Sequence, residues 1–183
     1  SAGVPGSVAG FHHALIKYGT FSWQQVLEPA IRLAEEGFVI PHDLANTLAS
    51  KRYKERLSSN PAAAKVFFKA DKEIYSAGEI LIQKDLASTL KELSKNGPDA
   101  FYTGKIAKLI VEEMQRNGGL ITLEDLKNYN IVERQPLVGN YKGYKIVSMP
   151  PSSSGGTHLI QMLNMLEEFP IREMGFGSAD SIH

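Results

Sequence analysis

The chain has 183 residues, no cysteine, and equal totals of Lys+Arg and Asp+Glu at 20 each. That length suits one domain with a core of its own, and the balanced charge offers no overall field to nucleic acid or an anionic membrane. Without cysteine, disulfides, thiol catalysis and cysteine-ligated metals are excluded; 43% hydrophobic residues argue against disorder; and neither a membrane-spanning apolar run nor a signal-peptide start is present.

In chain order, the first half reads as successive helices. Val4, Val8, Phe11, Leu15 and Tyr18 recur at helical spacing after Pro5, and Gly19 ends the run. Ser22 with Gln25 three residues on predicts a capping box, after which Trp23, Val26, Leu27, Ala30, Ile31 and Ala34 hold one buried face up to Gly37. Pro29 inside that run predicts a kink or a break. One helix is predicted over Asp43 to Leu57, a short one over Pro61 to Phe68, and an extended segment over Gly78 to Gln83. Leu86, Ala87, Leu90 and Leu93 mark a helix stopped by Gly97, and Ile106, Leu109, Ile110 and Met114 mark another stopped by Gly118. Thr122 caps a short helix with Glu124 and Asp125 in its first turn.

Beyond Tyr129 the period changes. Ile131 to Val138 and Tyr141 to Met149 read as two strands joined around Gly139-Asn140. A helix from Thr157 to Glu168 follows, apolar around most of its circumference. Gly177 to His183 reads as a cap and first turn cut short, and Ser1-Ala2-Gly3 opens without methionine, so the chain is expected to be a fragment. The fold class is α+β, predominantly helical with a C-terminal β-hairpin. A single domain is expected over 1–183, with 1–129 mainly helical and 130–183 forming the hairpin and helix.

Between strand and final helix lies Pro150-Pro151-Ser152-Ser153-Ser154-Gly155-Gly156. Prolines end the ladder, hydroxyls can accept from free N–H groups at a helix start, and glycines permit close packing or positive φ. Such a turn is either a structural junction, its serines capping the helix near Thr157, or an anion cradle. A Ser-His-Asp set drawn from Ser153 or Ser154, His158 and Asp180 lacks the Gly-x-Ser-x-Gly elbow that exposes a nucleophile. His12, His13, His42, His158 and His183 form no H-E-x-x-H or H-x-x-E-H pattern, and adjacent His12 and His13 diverge by about 100° on a helix, so no metal site is read.

The same heptapeptide resembles the P-P-P-S-S-G-G signature of gamma-glutamyltranspeptidases, with Ser152 in place of the third proline. Val4-Pro5-Gly6-Ser7-Val8-Ala9-Gly10-Phe11, Pro29 to Phe38, Asp99-Ala100-Phe101-Tyr102-Thr103-Gly104, and Asn117 to Thr122 with Glu124-Asp125-Leu126 fit that family in the same order. The resemblance implies the central part of a large subunit whose parent is an N-terminal-nucleophile hydrolase with an α/β/β/α sandwich. That parent would move the γ-glutamyl group of glutathione and related amides to amino acids, peptides or water, with no metal or organic cofactor. Its nucleophile is a threonine freed by self-cleavage in a T-T-H-type motif. Thr157-His158, preceded by Gly155-Gly156, does not match it. The family's carboxylate-clamping arginine lies upstream of Val4, and its substrate-binding Ser-Ser and Gly-Gly pairs lie in the small subunit, so Ser153-Ser154 and Gly155-Gly156 resemble those pairs in letters only. No catalytic, substrate-binding or metal residue is therefore assigned here.

The implied partners are the rest of the large subunit and the small catalytic subunit. The implied location is periplasmic or secreted. A cephalosporin acylase, a poly-γ-glutamate-processing enzyme and a non-catalytic helical binding module are the alternatives. Cut from its neighbours, the hairpin with its helix is expected to be disordered or buried by self-association.

Overall fold

A computed structural model describes residues 3–183, which leaves the reading of Ser1 and Ala2 outside the described residues. The chain forms two compact units, one ending at Ile131 and the other covering Val132–His183.

In the first unit, α1 (Ser7–Tyr18) is followed by α2 (Trp23–Glu36). The predicted capping box opens α2: Ser22 Oγ accepts from the Gln25 N–H at 3.2 Å, and the Ser22 N–H donates to Gln25 Oε1 at 2.8 Å. Of the kink or break expected at Pro29, the break does not occur: α2 is one helix through the proline. Proline forfeits one hydrogen bond, but the helix is held at both ends by α6 (Lys84–Asn96) and the residue before it. Trp23 Nε1 donates to the Leu93 carbonyl at 2.8 Å, the Gln83 N–H donates to the Ala34 carbonyl at 2.9 Å, and Lys91 pairs with Glu35.

Next come β1 (Phe38–Val39), α3 (His42–Ala49), α4 (Lys51–Ser58), α5 (Pro61–Phe67) and β2 (Ile80–Leu81). The strands pair antiparallel, Phe38 opposite Leu81 and Val39 opposite Ile80. The single helix read over Asp43 to Leu57 is instead two, parted at Ser50, whose ψ of 141° is extended. Hydroxyls explain the break, since Thr47 Oγ1 donates to the Asp43 carbonyl and Ser50 Oγ to the Thr47 carbonyl, each at 2.8 Å, in competition with the regular ladder. The loop after α5 is closed by Glu79, which accepts from the Ser76 N–H at 2.6 Å and from Lys69 Nζ at 2.9 Å. These bonds, the Ser76 amide first, hold the Glu79 carboxyl below its ordinary range.

The unit finishes with α7 (Asp99–Tyr102), α8 (Lys105–Arg116) and α9 (Leu123–Lys127). Past the end of α8, Gly118 takes φ +69° and the Gly119 N–H returns to the Met114 carbonyl at 2.7 Å, the Schellman closure that glycine makes cheap. Thr122 and Asp125 form the capping box of α9.

Three motif segments meet at Tyr102. Its hydroxyl donates to the Pro5 carbonyl at 2.8 Å and accepts from the Ala9 N–H at 3.2 Å, so it secures the first turn of α1. Its ring stacks on Tyr129, centroids 5.5 Å apart and planes 9° apart. Gly6 is required beneath that pair, because a Cβ there would lie 2.0 Å from the Tyr129 hydroxyl oxygen. Burial pushes the Tyr102 phenol pKa above its ordinary value, tempered by the bond from Ala9. Around it, Tyr102, Ala107, Val111 and Leu126 form one buried cluster, while Leu93, Ala100 and Ile106 form a second.

The second unit contains β3 (Leu137–Tyr141), β4 (Tyr144–Ser148) and α10 (Gly155–Glu167), followed by single turns at Ile171–Met174 and Ala179–Ile182. The strands form an antiparallel hairpin with Leu137 opposite Ser148 and Tyr141 opposite Tyr144. Its turn is Lys142-Gly143, not Gly139-Asn140: both residues have positive φ, 46° and 82°, as a tight two-residue hairpin turn demands. Gly139 serves packing instead, since a Cβ there would come within 2.7 Å of Ile160 Cγ2 on α10. Gly139 thus brings the hairpin against its own helix, with Ile160 over the strand.

Candidate functional site

The proline-serine-glycine turn joins β4 to α10, and its geometry is that of a junction. The Ser153 N–H donates to the Pro150 carbonyl at 3.2 Å, and Ser153 Oγ accepts from the Gly155 N–H at 3.3 Å. Ser154 occupies the N-cap position of α10, but its side chain makes no cap bond; only its carbonyl is used, by the His158 N–H at 3.0 Å. The cap expectation is therefore met by one hydroxyl, and the helix begins at Gly155 rather than near Thr157. Gly156 matters more. It is the one buried residue of α10, and a Cβ there would fall 2.0 Å from the Met149 carbonyl oxygen. The second glycine lets the helix backbone rest against the end of the strand.

Ser153, Ser154, Thr157, His158 and Asp180 are all exposed. Among the described residues, no side-chain hydrogen bond links either serine to His158 or His158 to Asp180, so these side chains do not form the hydrogen-bonded chain that a Ser-His-Asp set requires. Thr157 is the third residue of α10, in peptide linkage on both sides, and has no free amine to serve as base. Nor do three His, Asp or Glu side chains of the described residues converge to hold a metal. His12 packs edge-on against Trp23 at 5.1 Å, and His42 opens α3. Beside the turn lies an open groove whose lining includes Val132, Pro136, Val147, Met149 and Ser152, with Arg134 its one charged side chain. Sequence reading passed over Arg134, which carries no motif among 20 Lys and Arg. It also quoted Tyr102 within a motif without seeing its role. A Tyr among helical segments, spaced far from any polar partner, gives no signal of a hydroxyl that bridges positions more than ninety residues away.

Fold and turn together define an α+β segment in which a proline-serine-glycine junction joins strand to helix. The gamma-glutamyltranspeptidase family model matches residues 1–183. The glutathione hydrolase proenzyme of Escherichia coli is 48% identical over 182 residues, covering 100% of this chain and 31% of the relative. An acylase proenzyme of a Pseudomonas species is 42% identical over 180 residues, covering 98% of this chain and 32% of the relative. Among solved structures, the gamma-glutamyltranspeptidase of Helicobacter pylori superposes with a TM-score of 0.95 at 48% identity, covering 100% of this chain and 52% of that one. This chain belongs to the gamma-glutamyltranspeptidase family, and it spans about a third of the length of the curated relatives it matches.

Proposed function

We propose that these residues are the central scaffold of the large subunit of a γ-glutamyl acyltransferase and glutathione hydrolase. What carries the reading is the unbroken match to the Escherichia coli glutathione hydrolase proenzyme, 48% identical over 182 residues. In this reading the two compact units belong to one domain of an α/β/β/α sandwich. The threonine nucleophile, its amine base, the oxyanion donors and the carboxylate-clamping arginine all come from outside these residues. The chain's contribution is to hold its neighbours: Tyr102 fixes the start of α1, and Gly156 fixes the path from β4 into α10. The partners are the rest of the large subunit and the small subunit released by self-cleavage, the substrates are glutathione and related γ-glutamyl amides, and the location is periplasmic or secreted. No cofactor is required.

The 42% identity to an acylase proenzyme supports a second reading, in which the parent cleaves another side-chain amide on the same scaffold. A chromogenic γ-glutamyl anilide separates the cases. The complete precursor is expected to turn it over and the purified chain of 183 residues is not. Turnover by the chain alone overturns the scaffold assignment; a processed precursor that cleaves acyl amides but not the γ-glutamyl anilide favours the acylase.

A further inference from the structure

The chain is neutral as a whole, yet between Lys51 and Lys69 it carries six cations, Lys51, Arg52, Lys54, Arg56, Lys65 and Lys69, against the single acid Glu55. Lys69 is engaged by Glu79, but the other five form no ion pair among the described residues. All five are exposed. Four of them crowd onto α4, where Lys51 and Lys54 are three apart and Arg52 and Arg56 four apart, spacings at which like charges on a helix repel. Packing does not explain the arrangement, because neither α4 nor α5 contains a buried residue. The two helices lie in the chain between Leu48 and Ile74, both of which are core residues.

We propose that α4, with Lys65 in the last turn of α5, forms a contact surface for anionic phospholipid headgroups. Concentrated Lys and Arg attract such a surface even when net charge is zero, because the screening length of roughly 8–10 Å lets the lipid feel the local cluster rather than the whole chain. Tyr53, 44% exposed, sits among the cations, where an amphipathic ring suits the headgroup layer. A folded acidic protein would ask for an apolar centre ringed by charge, and α4 presents charge with no such centre. The contact is peripheral; among the described residues no helix is long and apolar enough to cross a membrane. It does not depend on the amide that the parent cleaves.

The test uses the complete parent protein and co-sedimentation with vesicles of phosphatidylcholine alone or mixed equally with phosphatidylglycerol. Binding is expected only to the mixed vesicles, and is lost at roughly 0.5 M salt, where the screening length falls to about 4 Å. Each cation removed from α4 should weaken partition about fivefold, so the quadruple variant K51Q/R52Q/K54Q/R56Q loses on the order of several hundredfold. K51R/K54R should bind as the parent does, and unchanged γ-glutamyl or acyl turnover in all variants shows that they are folded. No binding at low salt, undiminished binding by the quadruple variant, or equal loss in K51R/K54R overturns the proposal. Retention on a sulfated polysaccharide without vesicle binding overturns it too, and assigns the cations to a soluble polyanion.

Discussion

The two compact units obey different rules of stability. Every buried hydrophobic side chain lies in the first, from Ile31 to Leu126, whereas the second buries no side chain and only the backbone of Gly156. Val138 and Val147 on the hairpin and Met162 and Met165 on α10 are each at least half exposed. A segment this short, with one two-stranded sheet and one helix, has too little apolar area to offset its chain entropy. What joins its elements is the hairpin ladder, the positive φ of Gly143, and the close approaches at Gly139 and Gly156. The first unit is held by packing, the second by geometry.

The sharpest probe of the packed unit is Leu126→Ala. Leu126 is fully buried, so the cavity should cost about 2–5 kcal/mol in urea unfolding. By contrast Met162→Ala, 50% exposed, should cost less than about 0.5 kcal/mol in this chain and markedly more in the complete parent, where cover is expected. Equal costs in both settings would erase the distinction between the units.

Next in size is Gly156→Ala. The added Cβ meets backbone rather than a flexible side chain, so strand or helix must shift. A loss of about 1–3 kcal/mol is expected, together with faster amide exchange confined to residues 137–167, read by hydrogen exchange and mass spectrometry. Exchange that quickens equally around Tyr102 would mean the units unfold as one.

Tyr102→Phe leaves the Ala9 N–H and Pro5 carbonyl without their partner, and about 1–3 kcal/mol should be lost from the first unit. Its pH signature has a definite sign. Burial raises the folded pKa of the phenol above the unfolded one, so its stabilising contribution is complete below the ordinary tyrosine pKa and disappears as pH rises through the folded value. Alkaline unfolding should therefore be less steep in the variant. An identical alkaline limb would show that other groups govern it.

The smallest effect is at the signature turn. Ser153→Ala removes one long, exposed bond and should cost about 0.5 kcal/mol, the low end of cap losses, with Ser154→Ala closer to zero. In the complete enzyme, kcat should stay within a few fold; a loss of about a hundredfold at unchanged melting temperature would make the serine a catalytic donor.

What was legible in the sequence was local. The capping box at Ser22, the cap at Thr122, the glycine stops at Gly97 and Gly118, and the hairpin with its following helix lie within a few residues of the signals that encode them. The pairing of Phe38–Val39 with Ile80–Leu81 was not legible, because two-residue strands some forty positions apart leave no periodicity. The break at Ser50 was not legible, because Thr47 and Ser50 fit a helix pattern as residue types and only the structure shows their hydroxyls bonding backward to carbonyls. Gly139-Asn140 misled for a related reason: glycine signals close approach as readily as a turn, and only the structure shows Ile160 above it. At the candidate site, motif order gave the family, while the places of Tyr102 and Arg134 needed coordinates.

The Tyr102 bridge also sets a clock. It joins residues 93 and 97 positions apart, and α1 has no buried residue of its own. At synthesis rates of about 5–20 residues per second, roughly 5–20 seconds separate the emergence of Pro5 from that of Tyr102. Throughout that interval α1 has no hydroxyl to dock on, and Val8 and Ala9, which the finished fold packs against the Tyr102 cluster, lack that cover. The earliest helix of this segment to leave the ribosome is thus fastened only after α2 to α6 have followed it, and a nascent chain arrested before α7 should present it to chaperones.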